Sequence, residues 1–248
     1  MTLESRERAN AARYTEIAHH YQADWRGEVD KELERVFTNF LACVGEPPQR
    51  ILDAGCGTGK AATYFSDLGY EVYGLDLSQG MLREAQGQNT ENPNFQPLIG
   101  NMKVLPFPDE AFSGVWCMAA LVHLDRQGKR EAIREYSRVL EPGGHLYISV
   151  QNLLSKKHLQ RVWQSSWSHL GYDDENRFYQ HPKSAREILN DKKIWSRFME
   201  GYAMLDDRPW HFPTKPELVS LFRDNGLDII DSNPIFEKRT HILAQKTI

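Results

Sequence analysis

A glycine-rich loop followed by an acidic residue has the residue types and spacing best suited to chemistry. Residues 52–59 read LDAGCGTG, so glycines alternate with other residues between an apolar stretch and a helical one. Glycines let the backbone turn sharply beside a ligand, and the free N–H groups of the next helix favour a group with negative charge or lone pairs. Asp76 ends the following apolar stretch, where a carboxylate can accept hydrogen bonds from both hydroxyls of a ribose. The glycine-rich loop and Asp76 together predict a ligand that contains a ribose.

Two common phosphate-binding motifs fail in this loop. A Walker A loop needs glycine where Ala54 stands and serine or threonine where Ala61 stands. The dinucleotide fingerprint needs its third glycine at the position of Lys60. The loop therefore disfavours a pyrophosphate, and a carboxylate that only caps the next helix remains the alternative explanation of Asp76.

The elements that position these residues alternate between short apolar strands and amphipathic helices. Such alternation is typical of a doubly wound α/β fold, in which a mostly parallel sheet carries helices on both faces and binds ligands at the carboxyl ends of its strands. The predicted strands cover 51–54, 71–76, 95–99, 114–119 and 145–150. The predicted helices cover 14–21, 28–44, 60–68 and 125–140, and Ser78 caps one more.

Residues 151–213 break this alternation after the fifth strand. They hold 10 of the 27 aromatic residues but carry a net charge of only +2. The pattern favours a helical insertion that covers a ligand, and a subdomain with its own small core is the alternative. We expect one domain over 1–248, with the following parts. They are N-terminal lid helices over 1–48, a ligand-binding core over 49–150, the substrate-side insertion over 151–213, and a C-terminal helix with two last strands over 214–248.

Four sequence blocks follow one another between about residues 50 and 150. They read ILDAGCGTG at 51–59, VYGLDLS at 72–78, LPFPDEAF at 105–112 and RVLEPGG at 138–144. In this order they resemble the class I S-adenosylmethionine-dependent methyltransferases, in the broad group that includes the ubiquinone and menaquinone C-methyltransferases. The resemblance implies a Rossmann-like sheet of seven strands with an antiparallel last strand, S-adenosyl-L-methionine as cofactor, and methyl transfer as the activity.

The resemblance also implies how the core would bind the cofactor. Asp76 would bind the ribose, while Leu77 and Met81 would flank the adenine. The loop residues implied to hold the methionine part are Asp53, Ala54, Gly55, Cys56 and Gly57.

One position departs from the family pattern. Many relatives have an aspartate that contacts the adenine amino group where this chain has Asn101, whose side-chain carbonyl can accept the same hydrogen bond. Tyr21 resembles a tyrosine that folds over the cofactor, and a core tyrosine of the N-terminal helix is the alternative. Met102 and Met118 complete the implied cofactor-binding set.

The methyl acceptor is harder to read from the sequence. Methyl transfer from a sulfonium requires mainly orientation, and a general base only if the acceptor loses a proton. His123 follows a buried strand and is the candidate base, since histidine accepts protons near neutral pH. A histidine that merely packs against the next helix is the alternative. The candidate substrate contacts are His20, Trp210 and His211.

Three functions are therefore compared. The first is a methyltransferase that modifies an O, N or C atom of a small metabolite. The second is a methyltransferase of the tRNA wobble-uridine type, because the segment RPWHF at 208–212 partly resembles a tail motif of those enzymes. The third is a cofactor-binding protein without catalysis. The net charge of −4 and the lack of a long basic stripe disfavour a nucleic-acid partner.

The remaining expectations follow from composition. The longest apolar run, 115–122, is far shorter than the roughly 20 residues that cross a bilayer, so we expect no membrane contact. The first residues lack the apolar core of a secretory signal, and three widely spaced cysteines fit a reducing cytoplasm. Their spacing also predicts no metal site, and the oligomeric state is left open.

Overall fold

The strands form one twisted sheet with helices on both faces. The computed structural model describes residues 3–25, 31–151, 202–205, 208–211, 215–232, 234–235 and 239–248. The helices in these ranges are α1 (Leu3–Trp25), α2 (Lys31–Val44), α3 (Lys60–Asp67), α4 (Gln79–Gln88), a short 3-10 helix (Leu121–His123), α5 (Arg126–Val139) and α6 (Lys215–Arg223). The strands are β1 (Arg50–Ala54), β2 (Glu71–Asp76), β3 (Phe95–Ile99), β4 (Phe112–Met118), β5 (Leu140–Gln151), β6 (Tyr202–Leu205), β7 (Arg208–His211), β8 (Leu227–Asp231), β9 (Pro234–Ile235) and β10 (Arg239–Lys246).

The strand order places a ligand crevice at one end of the sheet. The order is β3-β2-β1-β4-β5-β10-β8, and the short β9 pairs with β10 outside this path. Strands β1 to β5 pair in parallel, whereas β10 is antiparallel to both β5 and β8. The predicted α/β fold class is thus confirmed. The chain order reverses between β1 and β4, so the crevice lies beyond the carboxyl ends of these two strands.

An aromatic cluster fills the space between one face of the sheet and α2 with α3. The apolar residues of α2 recur at intervals of three and four, which turns Phe37 and Phe40 toward the sheet, where they are buried. There they meet Trp116, whose indole stacks on the ring of Tyr147 with centroids 3.8 Å apart. Burial of such large side chains contributes several kcal/mol, at about 25 cal/mol per Å² of apolar surface. This cluster holds α3, the helix that follows the glycine loop, against the sheet.

The opposite face packs against α5 and α6. Successive side chains of a strand point to opposite faces, so Val115 and Cys117 face away from the aromatic cluster. They join Ile133 of α5 and Phe222 of α6 in a second buried cluster. Asp125 caps α5 by accepting a hydrogen bond from the Gly128 N–H at 2.8 Å. This cap sets the start of α5 directly after the loop that carries His123.

The observed bounds correct several sequence-based expectations. The N-terminal helix runs over Leu3–Trp25 rather than 14–21. The strand predicted from 145 begins at Leu140, immediately after α5, because Leu140 already pairs with Phe112. The hairpin of β6 and β7 lies inside the segment that was expected to be a helical insertion. Residues 152–201 of that segment, and the first residues of the helix predicted from 28, lie outside the described ranges. Among the helices described, none has the length and apolar character that a membrane span needs.

Candidate active site

One cavity opens at the carboxyl ends of β1 and β4. About 840 Å³ of space free of protein atoms lies in it, counted out to and including its open mouth. Its floor is the glycine loop and the end of β2, and its roof is one face of α1. The residues of the core that line it include Gly55, Gly57, Asp76, Met102 and Met118.

The glycine loop has a backbone that only glycine adopts without strain. Gly55 and Gly57 have φ angles of +78° and +55°. The N–H groups of Gly55 and Cys56 both donate to the Leu75 carbonyl, at 2.7 and 3.1 Å, and so tie the loop to β2. A Cβ on Gly55 would lie 2.3 Å from the Cβ of Ala120, whereas a Cβ on Gly57 would meet no atom within 4 Å. The open side of the loop is therefore at Gly57, facing the cavity.

Asp76 is held by the backbone on both sides of the cavity floor. Its Oδ2 accepts from the Gly57 N–H at 2.9 Å, and its Oδ1 accepts from the Ser78 N–H at 2.8 Å. Burial raises the pKa of this carboxyl, although these hydrogen bonds to backbone N–H groups lower it. Each carboxylate oxygen has a further lone pair, so the group can still accept hydrogen bonds from a ligand in the cavity. The Ser78 hydroxyl also accepts from the Met81 N–H at 3.3 Å, which confirms the predicted cap of α4.

Asp53 lies beneath the loop instead of lining the cavity. It is buried, and its Oδ2 has no hydrogen-bond partner within the described ranges. Burial, together with the negative charge of Asp76, raises the pKa of Asp53 to about 8. Ala54 and Cys56 are buried as well and are absent from the cavity wall. Of the five loop residues predicted to touch the cofactor, the structure therefore brings only Gly55 and Gly57 to the cavity surface.

The part of the cavity beside α4 has an apolar wall and a polar rim. Leu77, 37% exposed, and the buried Met81 line it, as does Asn101 at the end of β3. The Asn101 side-chain carbonyl accepts from the Lys103 N–H at 3.0 Å, and its amide donates to Glu7 of α1 at 3.0 Å. A flat apolar ring with polar edges fits such a slot.

Four polar residues of α1 face the cavity, and the sequence reasoning identified only one of them. Tyr21 lines the wall as predicted, together with Glu7, Asn10 and Tyr14. These residues share a helix face, since they are separated by three, four and seven positions. The spacing would have indicated this face if the helix had been extended to residue 3. His20 lies on the exposed side of α1 and does not line the cavity, so the structure does not place this candidate substrate contact at the site.

The end of β4 brings His123 to the far side of the cavity. Ala119 has a φ of +58°, an unfavourable conformation for a residue with a Cβ, and the chain turns there into the short 3-10 helix. The Tyr14 hydroxyl lies 3.1 Å from His123 Nε2, and the two rings meet edge to face. Strand β7 lies beside this 3-10 helix and carries Trp210 and His211, whose side chains lie outside the description.

The residues present fit S-adenosylmethionine. Space for a ligand is open above Gly57, a carboxylate stands at Asp76, and Asn10 Nδ2 is buried at the cavity without a partner in the described part of the chain. The carboxylate of Asp76 favours a ligand that carries positive charge. No group of three or more potential metal-ligating side chains occurs among the described residues.

Comparison with known proteins gives the same assignment. Residues 51–144 match the model of a methyltransferase domain family. The chain is 33% identical over 191 residues to a malonyl-[acyl-carrier protein] O-methyltransferase of Pseudescherichia vulneris, covering 76% of this chain and 70% of that protein. It is 34% identical over 103 residues to a demethylmenaquinone methyltransferase of Renibacterium salmoninarum, covering 42% of this chain and 41% of that protein.

A solved structure shares the fold over the whole chain. It is the 1,6-didemethyltoxoflavin-N1-methyltransferase of Burkholderia thailandensis, with a TM-score of 0.68, 17% identity, and coverage of 100% of this chain and 92% of that one. The chain belongs to the class I S-adenosylmethionine-dependent methyltransferases. Its cofactor is S-adenosylmethionine, as the sequence blocks predicted.

Proposed function

We propose that this methyltransferase acts on a small molecule, at an oxygen or nitrogen that loses a proton as it is methylated. The observation that carries the proposal is that one cavity joins Asp76 and the glycine loop to the Tyr14–His123 pair. S-adenosylmethionine supplies an activated methyl group on a sulfonium, so the protein has to orient the two reactants and exclude water. Methylation at a carbon atom, which the sequence also allowed, would contradict this narrower proposal.

Each cavity residue then has a role in holding the cofactor. Asp76 binds the ribose hydroxyls, and the backbone at Gly55 and Gly57 lets the methionine part lie close to the loop. Leu77 and Met81 flank the adenine, with Asn101 and Met102 at its edge. Met118 and Tyr21 close the remaining walls. Asp53, Ala54 and Cys56 act from below, by holding the loop.

The surroundings of His123 favour a small acceptor with an apolar body. Met118, Ala119, Ala120 and Leu124 line this end, so little bulk and little charge project into it. The Tyr14 hydroxyl and His123 form its polar group, and a base at hydrogen-bond distance can accept the proton that an OH or NH group releases. The relatives named above include an O-methyltransferase and an N-methyltransferase, which supports acceptors of this kind. Strand β7, which carries Trp210 and His211, lies beside the 3-10 helix of His123, and this supports the two residues as further acceptor contacts.

Calorimetry tests the cofactor site. We expect wild-type protein to bind S-adenosylmethionine and Asp76→Ala to lose at least about tenfold in affinity, because about 1.4 kcal/mol is less than a charged hydrogen-bond acceptor contributes. Asp224→Ala, an exposed carboxylate at the end of α6, is the matched control and should bind normally. Equal binding by Asp76→Ala and wild type would contradict the site assignment.

Turnover tests the acceptor class. The enzyme is incubated with a metabolite library, and S-adenosylhomocysteine is detected. With the acceptor so found, His123→Ala should lower kcat by about a hundredfold and Tyr14→Phe by less, with unchanged cofactor affinity, since loss of a general base typically costs that much. A parallel incubation with labelled cofactor and total tRNA tests the alternative suggested by residues 208–212. Label in tRNA with no turnover of small molecules would replace our proposal.

A further inference from the structure

Helix α1 brings a carboxylate and an amide to the rim of the cavity at Asn101. Glu7 Oε2 accepts a hydrogen bond from Asn101 Nδ2 at 3.0 Å, and Glu7 Oε1 pairs with the Lys103 ammonium at 2.7 Å. The side chains of Glu7 and Lys103 are each only 14% exposed, so this ion pair is largely shielded from water. Glu7 also lines the cavity wall. Helix α1 thus contributes a carboxylate to a part of the cavity wall where the core contributes the neutral side chain of Asn101.

One turn further along α1, an amide faces the same cavity. Asn10 is 7% exposed, lines the wall, and has an Nδ2 without a hydrogen-bond partner within the described ranges. A buried amide without a partner is unfavourable, so such a group is expected to bind something when the site is filled. Residues three apart on a helix are neighbours, which sets a donor at Asn10 beside an acceptor at Glu7.

We propose that Glu7 and Asn10 recognise the adenine edge of the cofactor. The exocyclic amino group of adenine donates hydrogen bonds, and the ring nitrogen next to it accepts them. A carboxylate oxygen of Glu7 accepts from the amino group, and the Asn10 amide donates to the ring nitrogen. The lid helix thereby adds a charged acceptor to the neutral one at Asn101.

The bonding of Asn101 explains why the lid is needed. Its carbonyl accepts from the Lys103 N–H and keeps one lone pair, and its amide donates to Glu7. An asparagine has no charge, whereas hydrogen bonds to an ionised acceptor are roughly twice as strong as neutral ones. Asn101 is therefore a positioning residue that holds the Glu7 carboxylate at the rim. The inference rests on the proposed function, because it needs the adenine to lie beside Asn101.

The test compares two ligands that differ only in this edge. S-inosylhomocysteine has a carbonyl where S-adenosylhomocysteine has the amino group, and its adjacent ring nitrogen carries a hydrogen. Calorimetry with wild-type protein should show at least about tenfold tighter binding of the adenosyl ligand, since two hydrogen bonds are reversed. Glu7→Gln should reduce this preference at least about fivefold, because its amide can donate to the inosyl carbonyl. The combined Glu7→Gln and Asn10→Asp variant should prefer the inosyl ligand.

The controls separate recognition of the base from simple closure of the lid. Glu16→Gln changes an exposed glutamate of the same helix and should leave the preference intact. Lys103→Met breaks the ion pair but keeps the carboxylate, so it should weaken both ligands to a similar degree. If Glu7→Gln also weakens both ligands equally and the preference stays unchanged, Glu7 only fastens the lid and the inference is wrong. Asp76→Ala reports separately on the proposed function, because it should abolish binding of both ligands whatever Glu7 does.

Discussion

The buried lysine at the start of α5 should make the protein more stable as the pH rises above neutrality. Lys129 has no exposed surface, and its ammonium donates a hydrogen bond to the Leu124 carbonyl, next to His123. Burial lowers the pKa of Lys129 to about 7, against the attraction of Glu217 on α6 and of Asp125. Arg126 lowers it further. Folding therefore transfers the charged ammonium group of Lys129 from water into the protein interior, which is unfavourable wherever the group is protonated.

The size of the effect follows from the two pKa values. The unfolded lysine titrates near 10.5 and the folded one near 7, so between these values the unfolded state binds more protons. Stability then rises with pH, by up to about 1.4 kcal/mol per pH unit. From pH 7 to pH 9 this amounts to about 2 kcal/mol in the free energy of unfolding, and below pH 7 the full penalty is present.

Urea unfolding of wild type and Lys129→Met at both pH values measures this term. The variant lacks the titrating group, so the stability of wild type relative to the variant should increase by about 2 kcal/mol from pH 7 to pH 9. Loss of the hydrogen bond to Leu124 changes the free energy of unfolding of the variant equally at both pH values. It therefore cancels when the two pH values are compared. Lys31→Met, at an exposed position of α2, should show no such change relative to wild type. Parallel pH dependence of wild type and Lys129→Met would refute the reasoning.

Two further predictions concern the loop and the residue beneath it. Gly55→Ala should lower the free energy of unfolding by at least about 2 kcal/mol, because its Cβ meets Ala120. Gly57→Ala should lower the free energy of unfolding by only about 1 to 2 kcal/mol, because its Cβ meets no atom. The Gly57→Ala variant should nevertheless bind S-adenosylmethionine much more weakly. Urea unfolding and calorimetry distinguish these outcomes, and equal stability losses would be inconsistent with them. Asp53→Asn removes a carboxyl whose folded-state pKa of about 8 lies above its ordinary 3.8, so the stability of wild type relative to the variant should fall from about pH 4 to about pH 8. A flat difference across that range would show that Asp53 ionises normally.

The core and the loop could be predicted from the sequence because their signals are local. The continuous apolar run that contains Val115, Trp116 and Cys117 identifies β4 within a few residues, because a strand buried on both faces has no polar side to show. The three glycines of 52–59 need their left-handed backbone wherever the sheet lies, so the loop was recognisable without tertiary contacts. Asp76 followed from the same unit, whereas Met81 came from the family resemblance. Such positions depend on neighbours that are close in the chain.

The roof of the site could not be predicted in this way. The cavity face of α1 consists of Glu7, Asn10, Tyr14 and Tyr21, so it lacks the apolar stripe by which an amphipathic helix is recognised. Asp53 shows the opposite error, since the motif names the residue but not that its side chain lies below the loop. The hairpin of β6 and β7 has no apolar alternation that would distinguish it from the segment around it. A polar face of this kind does not stand out in a helix whose other faces are also polar.

One rigid element connects the two halves of the site. Glu7 and Asn10 lie at the end of the cavity near Asn101, while Tyr14 contacts His123 at the other end. Seven residues of an α-helix span about 10 Å, so the same helix reaches both the cofactor and the acceptor. Thr15, directly after Tyr14, fastens it to α4, since its hydroxyl lies 2.9 Å from that of Ser78 and its backbone is so close to Gly80 that a Cβ there would clash. A displacement of the whole helix would therefore move residues at both ends of the cavity, whereas a side-chain change at one end need not affect the other.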